Sequence, residues 1–211
     1  RDGDEYCGIE ILENFERFNQ ANDIYTRGQW DSRIRSENVI NRFKGMFTPG
    51  IGVKKSEGYS ARDFALKNAG WMATNLIIQR NRAADRTDGF LDHIEEFCPP
   101  NAEMMEIESV EQMTAELKHV CRTFGASDVG ITAYDPRWHY TKNFSVKTLA
   151  EKEYGIPEDL PNVIVVLTEM DHDAIRTYPS ATAGMATGAG YSRDCAMTLS
   201  IATFIQNLGY R

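Results

Sequence analysis

The stretch Ser180–Asp194, SATAGMATGAGYSRD, holds three glycines and one phenol, Tyr191. Glycine lets a backbone approach something flat or bulky because no Cβ intervenes. A phenol at such a contact can donate one proton. An unperturbed phenol has a pKa near 10, so it is a poor acid at neutral pH unless a cation or a helix N-terminus stabilises the phenolate. Arg176 and Arg193 are the local cations. The glycine order, G-x-x-x-G-x-G, is not the dinucleotide fingerprint, and the glycines alone suit a tight surface connection too. Position favours a site, because ligands of layered sheets bind beyond the carboxyl ends of strands and this segment follows the best strand of the chain.

Two other clusters carry polar or aromatic chemistry. Glu169–Thr177, EMDHDAIRT, surrounds His172 with acids. Adjacent residues of an extended chain point in different directions, so solvated strand-end residues are expected rather than a metal site. Asp135–Tyr140, DPRWHY, sets Trp138 and Tyr140 after another strand, where they suit either stacking on a planar ligand or packing in the core. Trp30 and Trp71 carry the same two readings. The four cysteines, Cys7, Cys98, Cys121 and Cys195, form no C-x-x-C, and the four histidines are dispersed, so no metal site is expected from local spacing.

The elements that would position these residues are legible from periodicity and caps. Ser60 is an N-cap for a helix running through "ARDFALKNAGWMATNLIIQR". Ser109-x-x-Gln112 opens a second helix, with Val110, Met113, Leu117, Val120, Cys121 and Phe124 on one face and Gly125 as its stop. "SDVGITAY" reads as a short strand. An acidic helix-like stretch then leads to Pro161, and the β-branched run "NVIVVLTE" reads as a strand buried on both faces. The glycine-bearing segment reads as a loop, and the last helix is expected from about Ser192 to Leu208, closed by Gly209. Phe15, Phe18 and Ile24/Tyr25 mark one helix face that Gly28 interrupts. The segment around Gly50, Gly52 and Gly58 has turn chemistry. The class is α+β, an α/β-like layered sheet flanked by helices, with an irregular helical N-terminal region over 1–100 and a second region over 101–211 divided at Pro99–Pro100.

Bulk properties narrow the partners. Of 211 residues, 42% are hydrophobic and 26% charged, the balance of a globular chain. The net charge of −8 and scattered basic residues argue against nucleic acid, whose phosphates require Lys and Arg. The longest apolar run, Val163–Leu167, is strand-sized rather than membrane-spanning. The chain opens on Arg1 and closes on "NLGYR" directly after a helix, so it is expected to be a piece of a longer protein.

Several stretches together resemble the corrinoid-dependent reductive dehalogenases: "FERFNQANDIYTRGQWD", "GYSARDFALKNAGW", "FGASDVGITAYDPRWHYT", "LPNVIVVLTEMDHDAIRTYPS", "ATGAGYS" and "FIQNLGYR". The resemblance spans most of the chain, and no single motif carries it. It implies a nitroreductase-like cobalamin-binding domain, truncated here, and a cobalamin held in a deep pocket. It further implies two [4Fe–4S] clusters ligated by cysteines in a C-terminal part beyond Arg211, which leaves this piece inactive alone. The substrate would be an organohalide, with an electron donor and a small membrane-anchor subunit as partners. A respiratory type would be exported to the outer face of the cytoplasmic membrane; otherwise the enzyme would be cytoplasmic. The tyrosine of the family's "GYS" motif falls on Tyr191 and would be the catalytic proton donor. Gly188, Ala189 and Gly190 would line the corrinoid cavity, and Trp138 and Tyr140 would flank it.

Two alternatives accompany this reading. An epoxyqueuosine reductase-like enzyme shares the cofactors but acts on transfer RNA, which the acidic balance and the long N-terminal region disfavour. A non-catalytic corrinoid- or partner-binding module is supported by the absence of the cluster cysteines.

Overall fold

The computed structural model describes residues 10–45, 50, 52–83, 103–145, 148–153, 156 and 159–210. In chain order the elements are α1 (Ile24–Trp30), α2 (Glu37–Gly45), α3 (Ala61–Gly70), α4 (Met72–Ala83), α5 (Val110–Thr123), β1 (Asp128–Ala133), β2 (Asn143–Ser145), β3 (Ala150–Lys152), β4 (Asn162–Leu167), α6 (His172–Ile175) and α7 (Ala181–Asn207). Helices with small antiparallel sheets make this a mixed α+β chain. It divides into two compact units, Arg1–Arg35 with Asp135–Gly155, and Ser36–Tyr134 with Ile156–Arg211. Both units draw on both sides of residue 100; Pro99 and Pro100 themselves lie outside the described residues. Among the described residues, no helix is long and apolar enough to cross a membrane.

In the first unit, an N-terminal segment is laced to residues 135–153 by backbone bonds and aromatic contacts. The Thr141 amide donates to the Phe18 carbonyl at 2.9 Å, and the Phe144 amide donates to Gln20 Oε1 at 2.8 Å. Residues 15–19 are not helical, contrary to the expected amphipathic face, and Gly28 is a buried member of α1 rather than its interruption. Asp23 caps α1 by accepting from the Tyr25 and Thr26 amides. Asp31, just past α1, is 3% exposed and accepts from Arg33 and Arg27, whose guanidinium groups hold its carboxyl well below the usual carboxylate range. The stretch expected to be helix-like instead contributes the short strand β3, which pairs antiparallel with β2.

The second unit is built on α7. The pair β1–β4 is antiparallel, with Val129 opposite Val166 and Ile131 opposite Ile164. These four side chains face Cys121 of α5 and Met197 and Ile201 of α7, forming the core cluster with Ala126. The strand β4 is not buried on both faces as its composition suggested, because Val165 and Leu167 are 46% and 57% exposed. The helix α5 begins as expected, with Ser109 Oγ accepting from the Gln112 amide, and Gly125 ends it at φ 110°. Gly209 likewise follows α7 at φ 83°, and adding a Cβ there would place it 2.4 Å from the Glu103 carbonyl oxygen.

The largest departure from the sequence reading lies at 181–191, which is the first half of α7 rather than a loop. Ser180 caps the helix by accepting from the Ala183 amide. Ala181, Ala183, Ala186 and Ala189 are the strongest helix-forming residue type, which offsets glycine's preference for irregular chain. The remaining cost of the glycines is met by packing, because this half of α7 lies directly on α3 and α4. Those two were expected as one helix, but the chain breaks between them at Trp71.

Candidate functional site

The residues around Tyr191 are brought together by α3, α4 and α7. The helix α3 opens with a capping box in which Ser60 and Asp63 satisfy each other's backbone amides. It stops at Gly70, whose carbonyl oxygen accepts from Ser192 Oγ of α7 at 2.7 Å. Ser192 Oγ also lies 3.2 Å from Thr74 Oγ1 of α4. The break between the helices therefore supplies an acceptor that ties the residue after Tyr191 in place.

Glycines of α7 serve as notches for side chains of α3 and its end. The Lys67 stem lies over Gly184, where a Cβ would stand 3.3 Å from Cδ. Partial burial lowers the Lys67 ammonium pKa, and the group donates to the Gly45 carbonyl at 3.2 Å. One turn on, the indole of Trp71 fills the space above Gly188; a Cβ there would stand 2.3 Å from Trp71 Cδ1. Trp71 Nε1 donates to the Gly184 carbonyl at 2.9 Å. The Tyr191 ring stacks on the indole with a centroid separation of 5.4 Å and an interplanar angle of 27°, and it remains 54% exposed.

Several expected features are rearranged. Tyr191 sits eleven residues into α7 rather than at the start of a helix. Arg193 is committed to the Glu169 carbonyl. Gly188 is buried beneath Trp71, and Gly190 faces Met170, whose Cγ would lie 3.5 Å from an added Cβ. The cradle that glycine opens at 188 fits an indole of this chain and is filled by it. Within this stacked pair the accessible surface is the Tyr191 side.

The other candidate clusters have partners of their own. In EMDHDAIRT, Asp171 caps α6 by accepting from the Ala174 amide, while His172 and Asp173 are exposed at the start of that helix rather than on a strand end. In the first unit, Trp138 meets Phe15 edge-on at 6.1 Å, and Tyr140 meets Phe18 at 6.0 Å. Both rings thus pack on the N-terminal segment, although Trp138 stays 59% exposed. Cys121 and Cys195 are buried free thiols whose pKa values burial raises; Cys7 and Cys98 lie outside the described residues. Among the described residues, no group of three or more His, Cys, Asp or Glu could hold a metal ion.

Half of the chain is similar to reductive dehalogenases. A tetrachloroethene reductive dehalogenase of Desulfitobacterium hafniense is 30% identical over 139 residues, a match covering 50% of this chain and 25% of the relative. The tetrachloroethene reductive dehalogenase of Dehalobacter restrictus (strain DSM 9455 / PER-K23) matches to the same extent, as does that of Desulfitobacterium hafniense strain Y51. The match thus spans about a quarter of the length of these curated relatives. No protein-family model matches the sequence. The similarity supports a relationship to an oxidoreductase class that removes halogen from organic compounds. Trp71, which the sequence left open between core and ligand contact, is the residue that organises the group around Tyr191. Its signal was the matched spacing of Lys67/Trp71 and Gly184/Gly188, four residues apart on each helix.

Proposed function

We propose that this chain is part of a reductive dehalogenase and that Tyr191 is its proton donor. The observation that carries the reading is the similarity to tetrachloroethene reductive dehalogenases over half the chain, joined to a phenol that stays accessible beside a fixed indole. In the net reaction a carbon–halogen bond breaks, two electrons and one proton enter, and a carbon–hydrogen bond and a halide ion result. An external donor would supply the electrons, with iron–sulfur clusters as the proposed relay, and the organic product takes its proton from the Tyr191 hydroxyl, which solvent then restores. Cobalamin is the proposed cofactor and would supply the two-electron chemistry that cleaves the halogen bond. Gly188 and Gly190 serve indirectly, by seating Trp71 and Met170 on α7, and Ala189 lies between them. Trp138 and Tyr140 are proposed stacking positions of the first unit.

The test uses the polypeptide as its gene encodes it, produced anaerobically with cobalamin and supplied with a chlorinated alkene or a halogenated phenol. Halide release should be lost by a factor of about 100 or more in Tyr191→Phe, the range expected when a general acid is removed, while cobalamin absorbance is retained. Turnover unchanged in Tyr191→Phe removes the phenol from the mechanism. Absence of halide release with every class of organohalide favours a non-catalytic module.

A further inference from the structure

We infer that Trp71 is a positioning residue for Tyr191, fixing the direction in which the phenol presents its proton. The inference rests on the reading of Tyr191 as proton donor and adds a residue to it. Three independent restraints hold the indole. Its Nε1 donates to the Gly184 carbonyl at 2.9 Å. Its five-membered ring is set into the notch at Gly188, where no side chain could stand. Its backbone lies at the break between α3 and α4, and the neighbouring Gly70 carbonyl is bonded to Ser192 Oγ. The indole is therefore a rigid plate anchored to the backbone of α7 on either side of one helical turn.

Tyr191 has the opposite character. It is more than half exposed, and its exposed side leaves the ring free to turn about its side-chain bonds. The plate beneath it, at 5.4 Å and 27°, removes that freedom on one side. A stacked aromatic pair is favoured roughly two- to tenfold beyond its buried area, enough to select one rotamer among a few. Proton transfer depends steeply on such orientation, since a misplacement of roughly 1 Å can cost about 100-fold in rate. Trp71 itself offers no proton at the exposed side, because its N–H is committed to Gly184.

Two measurements on the full gene product test this. The first uses 3-fluorotyrosine labelling and fluorine NMR, with the Tyr191 signal identified by its disappearance in Tyr191→Phe. The signal should carry a ring-current shift that is lost in Trp71→Ala and partly restored in Trp71→Phe; an identical signal in wild type and Trp71→Ala overturns the inference. The second is kinetic. Trp71→Ala should lower kcat about tenfold with KM nearly unchanged, and the solvent deuterium isotope effect should rise as protonation becomes limiting. Trp71→Phe, which keeps a plate and guards against a folding failure of the alanine variant, should recover much of that loss. Adding Trp71→Ala to Tyr191→Phe should produce little further loss, because the indole acts through the phenol; a full second loss overturns the positioning role. If Tyr191→Phe itself leaves turnover unchanged, the proton-donor reading fails and the positioning role falls with it. The NMR shift then tells whether the contact exists without that chemistry.

Discussion

The two halves of α7 solve the same problem by opposite means. The first half, Ala181–Gly190, carries alanines and glycines and lets Lys67 and Trp71 enter its surface. The second half carries Met197, Ile201 and Ile205, which project outward into the sheet and α5. One half is a surface of notches and the other a surface of knobs. The contact holding Tyr191 is thus written partly in side chains that α7 lacks, whereas the core contact is written in side chains that it has.

Mutations that add or remove volume should therefore act oppositely along one helix. The largest effect is expected for Met197→Ala, since the side chain is 2% exposed and its removal from the core should cost about 2–5 kcal/mol. Urea unfolding of the 211-residue chain measures it, and a change below that of any notch variant would mean that the strands, not α7, carry the core. Next comes Gly188→Ala, where the new methyl would meet Trp71 at 2.3 Å. Overpacking of this kind should cost about 1–3 kcal/mol, reduced by alanine's better helix propensity. In a Trp71→Ala background the same substitution should become stabilising, and a penalty that persists there would show that something other than the indole fills the notch. The smallest effect is expected at Gly190→Ala, whose methyl would sit at ordinary distance from Met170. A gain of about 0.5–1 kcal/mol, read as a raised Tm, is the expected outcome from helix propensity alone. A loss instead would extend the notched surface by another half-turn.

Local signals are legible in the sequence where the determining partner is nearby in the chain. Ser60 and Ser109 cap helices through amides three residues on, and Gly125 and Gly209 end helices through their own positive φ. The strands β1 and β4 followed from their β-branched runs. What escaped was set by distant partners. Gly184, Gly188 and Gly190 look like loop residues until Lys67, Trp71 and Met170 are placed against them. The alternation of β4 depends on pairing with β1 and on only one face meeting α5 and α7. Trp71, at the end of α3, sets its indole on α7, a contact across 113 positions of sequence. The phenol at 191 was legible as a candidate, but its support was not, since that support comes from a tryptophan whose role no local pattern reveals.

Lys67 and Trp71 meet Gly184 and Gly188 in the same order, so α3 and the start of α7 run side by side in one direction. Like a two-pin plug, this arrangement has a single seating: sliding either helix by one turn would strand a pin against a wall. Alignment of the phenol with its plate is then independent of how much chain lies between the two helices. Insertions or deletions in that intervening stretch can reshape whatever surrounds the pair while leaving the pair itself undisturbed.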